Sequence, residues 1–207
     1  GAGLLGPPRG GEERRLVLAG HGFGAIVAAW TAASLGPSCA GLVLVDGGWE
    51  DIGATSELTP AEFVRTLEEP PEVLRSLDAF LADRRSFDPA TWDADQERAS
   101  RASVIELPAG RVVPVTPPHA LGGIVEAMFA YRPSAVLPAV AAPIVALVAG
   151  EVDEPARDAA LEAIQATLVE AGRRPIDVRR FRPVGHNLMR YRPVAVAAAI
   201  LGLVEGR

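Results

Sequence analysis

The chain alternates between short apolar runs and glycine-marked turns. Leu16-Val17-Leu18-Ala19 follows Arg14-Arg15 and stops at Gly20. Ala25–Ala33 is a longer run rich in small residues, ending at Gly36-Pro37, a helix stop. Leu42-Val43-Leu44-Val45 is a second short run, closed by Asp46-Gly47-Gly48. Runs of four apolar residues without alternation suit strands buried on both faces. Strand, tight turn, helix and strand make a βαβ unit, which predicts a parallel sheet covered by helices. The pattern returns at Ile144–Ala149, ending at Gly150, followed by an amphipathic helix over Glu154–Ala171, a strand over Ile176–Phe181, a Gly185-His186-Asn187 loop and a terminal helix over Pro193–Val204.

The stretch between is different. From Thr59 to about Ser103 it predicts helices, opened by Thr59-Pro60-Ala61-Glu62 as an N-cap with proline at the first helical position. Pro70-Pro71 and Asp88-Pro89 punctuate them. Val104–Thr116, around Pro108-Ala109-Gly110, predicts a small hairpin, and Pro118–Tyr131 another helix. The expected organisation is an α/β core in two parts, 1–49 and 139–207, with a mainly helical insertion over 50–138.

Composition narrows the function classes. The chain has 207 residues, enough for a sizeable core, and 22% charged residues, close to the globular average. The net charge of −6 speaks against a nucleic-acid surface. All 20 basic residues are Arg, so chemistry needing a Schiff-base or phosphate-binding lysine is excluded. One cysteine, Cys39, and three histidines exclude a disulfide framework and speak against a structural zinc site. No apolar run approaches the ~20 residues that cross a bilayer. The expectation is a cytoplasmic protein with no cofactor and no metal, acting on a small molecule and engaging neither nucleic acid nor membrane.

The most informative segment is Gly20-His21-Gly22-Phe23-Gly24 at the predicted strand-to-helix turn. It resembles the nucleophile elbow of the α/β-hydrolase fold, G-x-S-x-G. Side chains at Gly20 and Gly24 are expected to collide with the neighbouring strand and helix. The departure is at the centre, where Gly22 replaces the nucleophile. The later segments resemble the family in order: Gly150-Glu151-Val152-Asp153 resembles the segment carrying the triad acid, and Gly185-His186-Asn187 the histidine loop. The resemblance implies Asp153 as acid and His186 as base, with Glu151 and Asp46 as alternative acids and the Phe23 N–H as an oxyanion donor. His21 fits a common G-H-x-x-G variant and is expected to be structural. Trp49 is a candidate pocket wall or core residue, and His119 a helix cap or pocket wall.

By resemblance the fold class is an α/β-hydrolase-like, mostly parallel sheet with a helical cap. Ala2–Gly6 resembles the tail of the helix before the elbow strand. Four strands of the family's fold and its other oxyanion loop would then fall outside this sequence. That would leave strand 16–19 as an open edge for the missing part or another chain. A self-sufficient four-stranded domain is the alternative. Three activities remain open: Ser-His-Asp type acyl transfer on a small, mostly apolar ester, lactone or amide, impaired by Gly22; a non-catalytic binding protein; and a non-covalent enzyme using His186 and Asp153 as base.

Overall fold

The computed structural model describes residues 15–150 and 154–206. The segments Ala2–Gly6 and Glu151–Asp153 lie outside them. The chain divides into two compact units, Gly1–Asp51 with Arg132–Arg207, and Ile52–Tyr131.

The first unit opens with β1 (Leu16–His21), α1 (Phe23–Leu35) and β2 (Cys39–Val45). The second holds α2 (Ile52–Thr55), α3 (Pro60–Thr66), α4 (Leu77–Phe87), α5 (Ala94–Ala102), β3 (Val104–Glu106), β4 (Val112–Pro114) and α6 (Pro118–Ala130). The first then resumes with α7 (Pro133–Val136), β5 (Ile144–Ala149), α8 (Pro155–Glu170), β6 (Asp177–Phe181), α9 (Leu188–Tyr191) and α10 (Pro193–Val204).

The sheet of the first unit is parallel, in the order β1-β2-β5-β6. Its middle strands explain the apolar runs. Every residue of β5 is buried, and all of β2 but Ala40. On one face Val43, Val45, Val145 and Leu147 meet Leu188 and Ala199, with Val196, Ile200 and Leu203 of α10 packed alongside. Successive strand residues point to opposite faces, and Leu44 points the other way, toward Ala25 of α1 at the Gly48 corner. Strand ends are aligned by register: His21 sits beside Val45, and Val45 beside Leu147. The C-terminal ends of β1, β2 and β5 therefore converge at one edge.

The second unit has its own core. Phe80, Leu81 and Val112 are buried against Val73, Leu74, Leu77, Trp92 and Val104. α3 is opened by the Thr59–Glu62 capping box, as its sequence predicts. Phe63 and Phe129 pack edge to face at 5.5 Å. β3 and β4 form the expected hairpin. Among the described residues no helix is long and apolar enough to cross a membrane.

Candidate active site

Gly22 stands between β1 and α1 with φ 54° and ψ −121°. An L residue rarely adopts a positive φ, whereas glycine does so at little cost. Its N–H donates to the Val45 carbonyl at 3.0 Å, and its carbonyl accepts from Ala25 N–H at 3.0 Å, so the turn is fixed from both sides. Gly20 is required by contact: a Cβ there would lie 1.9 Å from the Gly24 carbonyl oxygen. Gly24 departs from expectation, because a Cβ on it would meet no described atom within 4 Å. The collision is one-sided, with the backbone of residue 24 as the obstacle and its missing side chain irrelevant.

His186 faces the elbow. A Cβ at position 22 would lie 3.2 Å from His186 Nε2. On its other side His186 Nδ1 donates to Asp46 Oδ2 at 2.7 Å. Val184 ties this loop to the end of β5 by two hydrogen bonds with Gly150, of 3.0 and 3.1 Å. The carbonyl of His186 accepts from His21 Nε2–H at 2.9 Å, and the two rings lie 4.3 Å apart. His21 thus pins the loop to β1. Burial, then the neighbouring His186, lowers the His21 pKa below 6.5 and keeps it neutral.

Asp46 follows directly on β2 and is 3% exposed, with a positive φ of 48°. Aspartate tolerates this backbone better than most residues do. Its Oδ1 accepts from Ala149 N–H at 2.9 Å and from Arg157 Nη2 at 3.0 Å. Burial alone would favour the neutral acid. The His186 hydrogen bond, the Arg157 charge and the Ala149 N–H together outweigh it and hold the carboxyl below its ordinary range. An ionised carboxylate only accepts, so His186 carries a proton on Nδ1 and turns Nε2 toward position 22.

Arg157, in the first turn of α8, sits among three carboxylates. Besides Asp46 it reaches Glu50 Oε1 from Nε at 2.7 Å and Glu154 Oε2 from Nη1 at 3.3 Å. Its guanidinium lies 5.2 Å from the centre of the Trp49 ring. Burial opposes its charge, but Glu50 and Asp46 more than compensate and raise its pKa further. Neither Arg157 nor Glu50 stands out in the sequence. One signal was available: an arginine in the first turn of a helix opposes the macrodipole and needs carboxylates to hold it.

Asp46, Gly150, Glu154, Arg157 and His186 border a cleft of about 420 Å3. A larger hollow, about 1090 Å3, opens at the other end of the sheet, beside Arg15, Cys39 and Pro143. Open α/β sheets bind ligands at the carboxyl ends of their strands, which favours the smaller cleft. Of the other sequence candidates, Phe23 begins α1, where helical N–H groups have no intrahelical acceptor. Trp49 is buried under Arg157, and His119 is exposed in the first turn of α6. Asp153 and Glu151 lie outside the described residues. Among the described residues no group of three or more His, Cys, Asp or Glu could hold a metal ion.

A strand-helix elbow facing a histidine that is hydrogen-bonded to a buried acid matches the order of parts in hydrolytic α/β folds. The chain belongs to the alpha/beta hydrolase family, whose sequence model matches residues 2–199. No curated protein matches the sequence. Solved structures share the fold. E-2-(acetamidomethylene)succinate hydrolase superposes with a TM-score of 0.67 at 15% identity, over 93% of this chain and 67% of that one. An esterase from M. tuberculosis gives 0.61 at 19% identity, over 91% and 62%. The thioesterase domain from the curacin biosynthetic pathway gives 0.58 at 16%, over 92% and 66%. The chain thus spans about two thirds of the length of these structures.

Proposed function

We propose that this chain carries the cleft of a serine-hydrolase type α/β-hydrolase in which glycine occupies the nucleophile position. Acyl transfer on a small, mostly apolar ester, lactone or amide would therefore be absent or strongly impaired in the chain as it stands. One observation carries the reading: a side chain at position 22 would project onto His186 Nε2, at 3.2 Å from its Cβ. In this reading His186 is the base and Asp46 the acid that orients it and stabilises the imidazolium. The Phe23 N–H serves the oxyanion. The 2.7 Å Asp46–His186 bond supports Asp46 over the other acids. Fold neighbours named hydrolase, esterase and thioesterase support hydrolysis as the reaction class.

The same nitrogen favours a second reading. With no side chain at 22, His186 Nε2 could take a proton from water, whose hydroxide adds to the acyl carbon; the protonated imidazole then returns the proton to the leaving group. Labelling by a fluorophosphonate separates the two. Gly22→Ser should be labelled, and Gly22→Ser/His186→Ala should not. No labelling of folded Gly22→Ser would overturn the nucleophile reading. Turnover of an aryl ester by the unaltered chain, abolished by His186→Ala, would establish the second.

A further inference from the structure

We propose that Arg157 is a positioning residue for the candidate base: it fixes the Asp46 carboxylate in the one orientation that presents Oδ2 to His186 Nδ1. The inference rests on the reading of Asp46 and His186 given above. A carboxylate on a strand end can rotate about its side-chain torsions, and rotation would exchange or displace the oxygen facing the imidazole. Here Oδ1 is held from two directions, by Ala149 N–H at 2.9 Å and by Arg157 Nη2 at 3.0 Å. The backbone donor alone leaves the carboxylate a hinge; the second, from a different element, removes it.

Arg157 can play this part because it is itself immobilised. Its three guanidinium nitrogens each meet a different carboxylate, on Glu50, Asp46 and Glu154. Its face lies over buried Trp49. The planar fork spans β2's following loop and the start of α8, a geometry that a lysine ammonium cannot reproduce from one point. Glu50 and Glu154 also offset the arginine charge. Without them a lone cation on Asp46 would compete with the imidazolium that the acid must stabilise.

The test reads the tautomer of His186 from its ring nitrogens by two-bond 1H–15N correlation spectra in the unaltered chain, where no catalysis is needed. Free imidazole favours the proton on Nε2, so a predominantly Nδ1-protonated His186 reports the oriented carboxylate. We expect the Nδ1–H form in the parent chain, a mixture in Arg157→Lys, and mostly the Nε2–H form in Arg157→Gln. Glu50→Gln, which loosens the arginine without touching Asp46, should shift the ratio in the same direction. In a Gly22→Ser background, Arg157→Gln should lower kcat for an aryl ester by about 10–100-fold with KM little changed, the cost of a misplaced base.

An unchanged Nδ1–H tautomer in Arg157→Gln, with the fold intact by near-UV circular dichroism, would overturn the proposal. So would a parent chain whose His186 is not protonated on Nδ1. If Arg157→Gln does not fold, Glu50→Gln decides. Altered tautomers with no labelling or turnover by Gly22→Ser would sink the hydrolase reading and leave the positioning role standing.

Discussion

Three glycines in five residues look alike in the sequence, yet the structure assigns them three different reactions to a methyl group. At Gly22 alanine would be forced into φ 54°. Such a backbone costs an L residue about 1–3 kcal/mol. The lost flexibility of the unfolded chain returns ~0.4–1 kcal/mol. Gly22→Ala should therefore destabilise by about 1–2 kcal/mol, or roughly 2–8 °C in melting temperature for a chain of this length. The added Cβ, 3.2 Å from His186 Nε2, asks only for a small movement of a side-chain end. Gly24→Ala meets no described atom and lies in the first turn of α1. It should stabilise by up to ~0.5–1 kcal/mol, the helical preference for alanine. Gly20→Ala places a Cβ 1.9 Å from a backbone carbonyl oxygen that cannot move without unwinding α1. A loss above ~4 kcal/mol, or failure to fold, is expected of such a clash. Urea titrations with a common m-value measure all three. A Gly22→Ala protein as stable as the parent would refute the conformational argument. Gly24→Ala less stable than Gly22→Ala would refute the assignment of the tight contact.

Acid should weaken the fold in two stages. The folded-state pKa of His21 is lowered from 6.5, so the unfolded chain binds the proton first and stability falls as pH drops below about 6.5; equal urea midpoints at pH 5 and 8 would contradict this. The Asp46 carboxyl is also held low, so its contribution, present above the unfolded value, is lost only as pH falls through the folded one. In a Gly22→Ser enzyme, Asp46→Asn should lower kcat by about 10⁴ through the wrong imidazole tautomer, and the same substitution at Asp153 should cost far less; the reverse order would move the acid role to Asp153. The unaltered chain should turn over a short aryl ester at no more than the residual rate of a site without its nucleophile, about 10³–10⁴ over water, in a stopped assay with His186→Ala as blank.

What was legible in the sequence follows from burial. β2 and β5 lie in the middle of the sheet, and both faces demand apolar residues, so each shows as an unbroken run. β1 runs two residues beyond its apolar stretch, through Gly20 and His21, because register with Val45 continues after the apolar requirement ends. The four-residue helices α2, α7 and α9 are too short to show a period of 3.6. The elbow was recognisable because its backbone demands glycine, by close contact at Gly20 and by positive φ at Gly22. Asp46, the acid that the geometry favours, was not so marked. β2 and β5 are neighbours, and Val45 pairs with Leu147, so the loops after both strands reach the same edge. Spacing along the chain does not show that Asp46 meets His186, because the contact spans 140 residues. The pair of glycines after Asp46 was the usable hint, since it marks a sharp turn at the end of a buried strand.

The distribution of cost across the cleft supports a site built for chemistry over a merely stable scaffold. Asp46 is 3% exposed and held at a positive φ, two features that oppose folding and that its bonds to His186, Arg157 and Ala149 offset. Arg157 is half-buried and placed against a helix dipole, and its charge is balanced by Asp46, Glu50 and Glu154. A sheet end that had only to pack would be cheaper with apolar side chains. These groups converge instead on His186, whose Nδ1 bonds the Asp46 carboxylate while its Nε2 faces the elbow. At Gly22 the backbone carries no such cost, since glycine adopts φ 54° without the strain that a side chain would bear. The consequence is asymmetric: placing a hydroxyl at position 22 needs one substitution at an already shaped turn, whereas assembling Asp46, His186 and Arg157 would need three residues on three separate segments to change together.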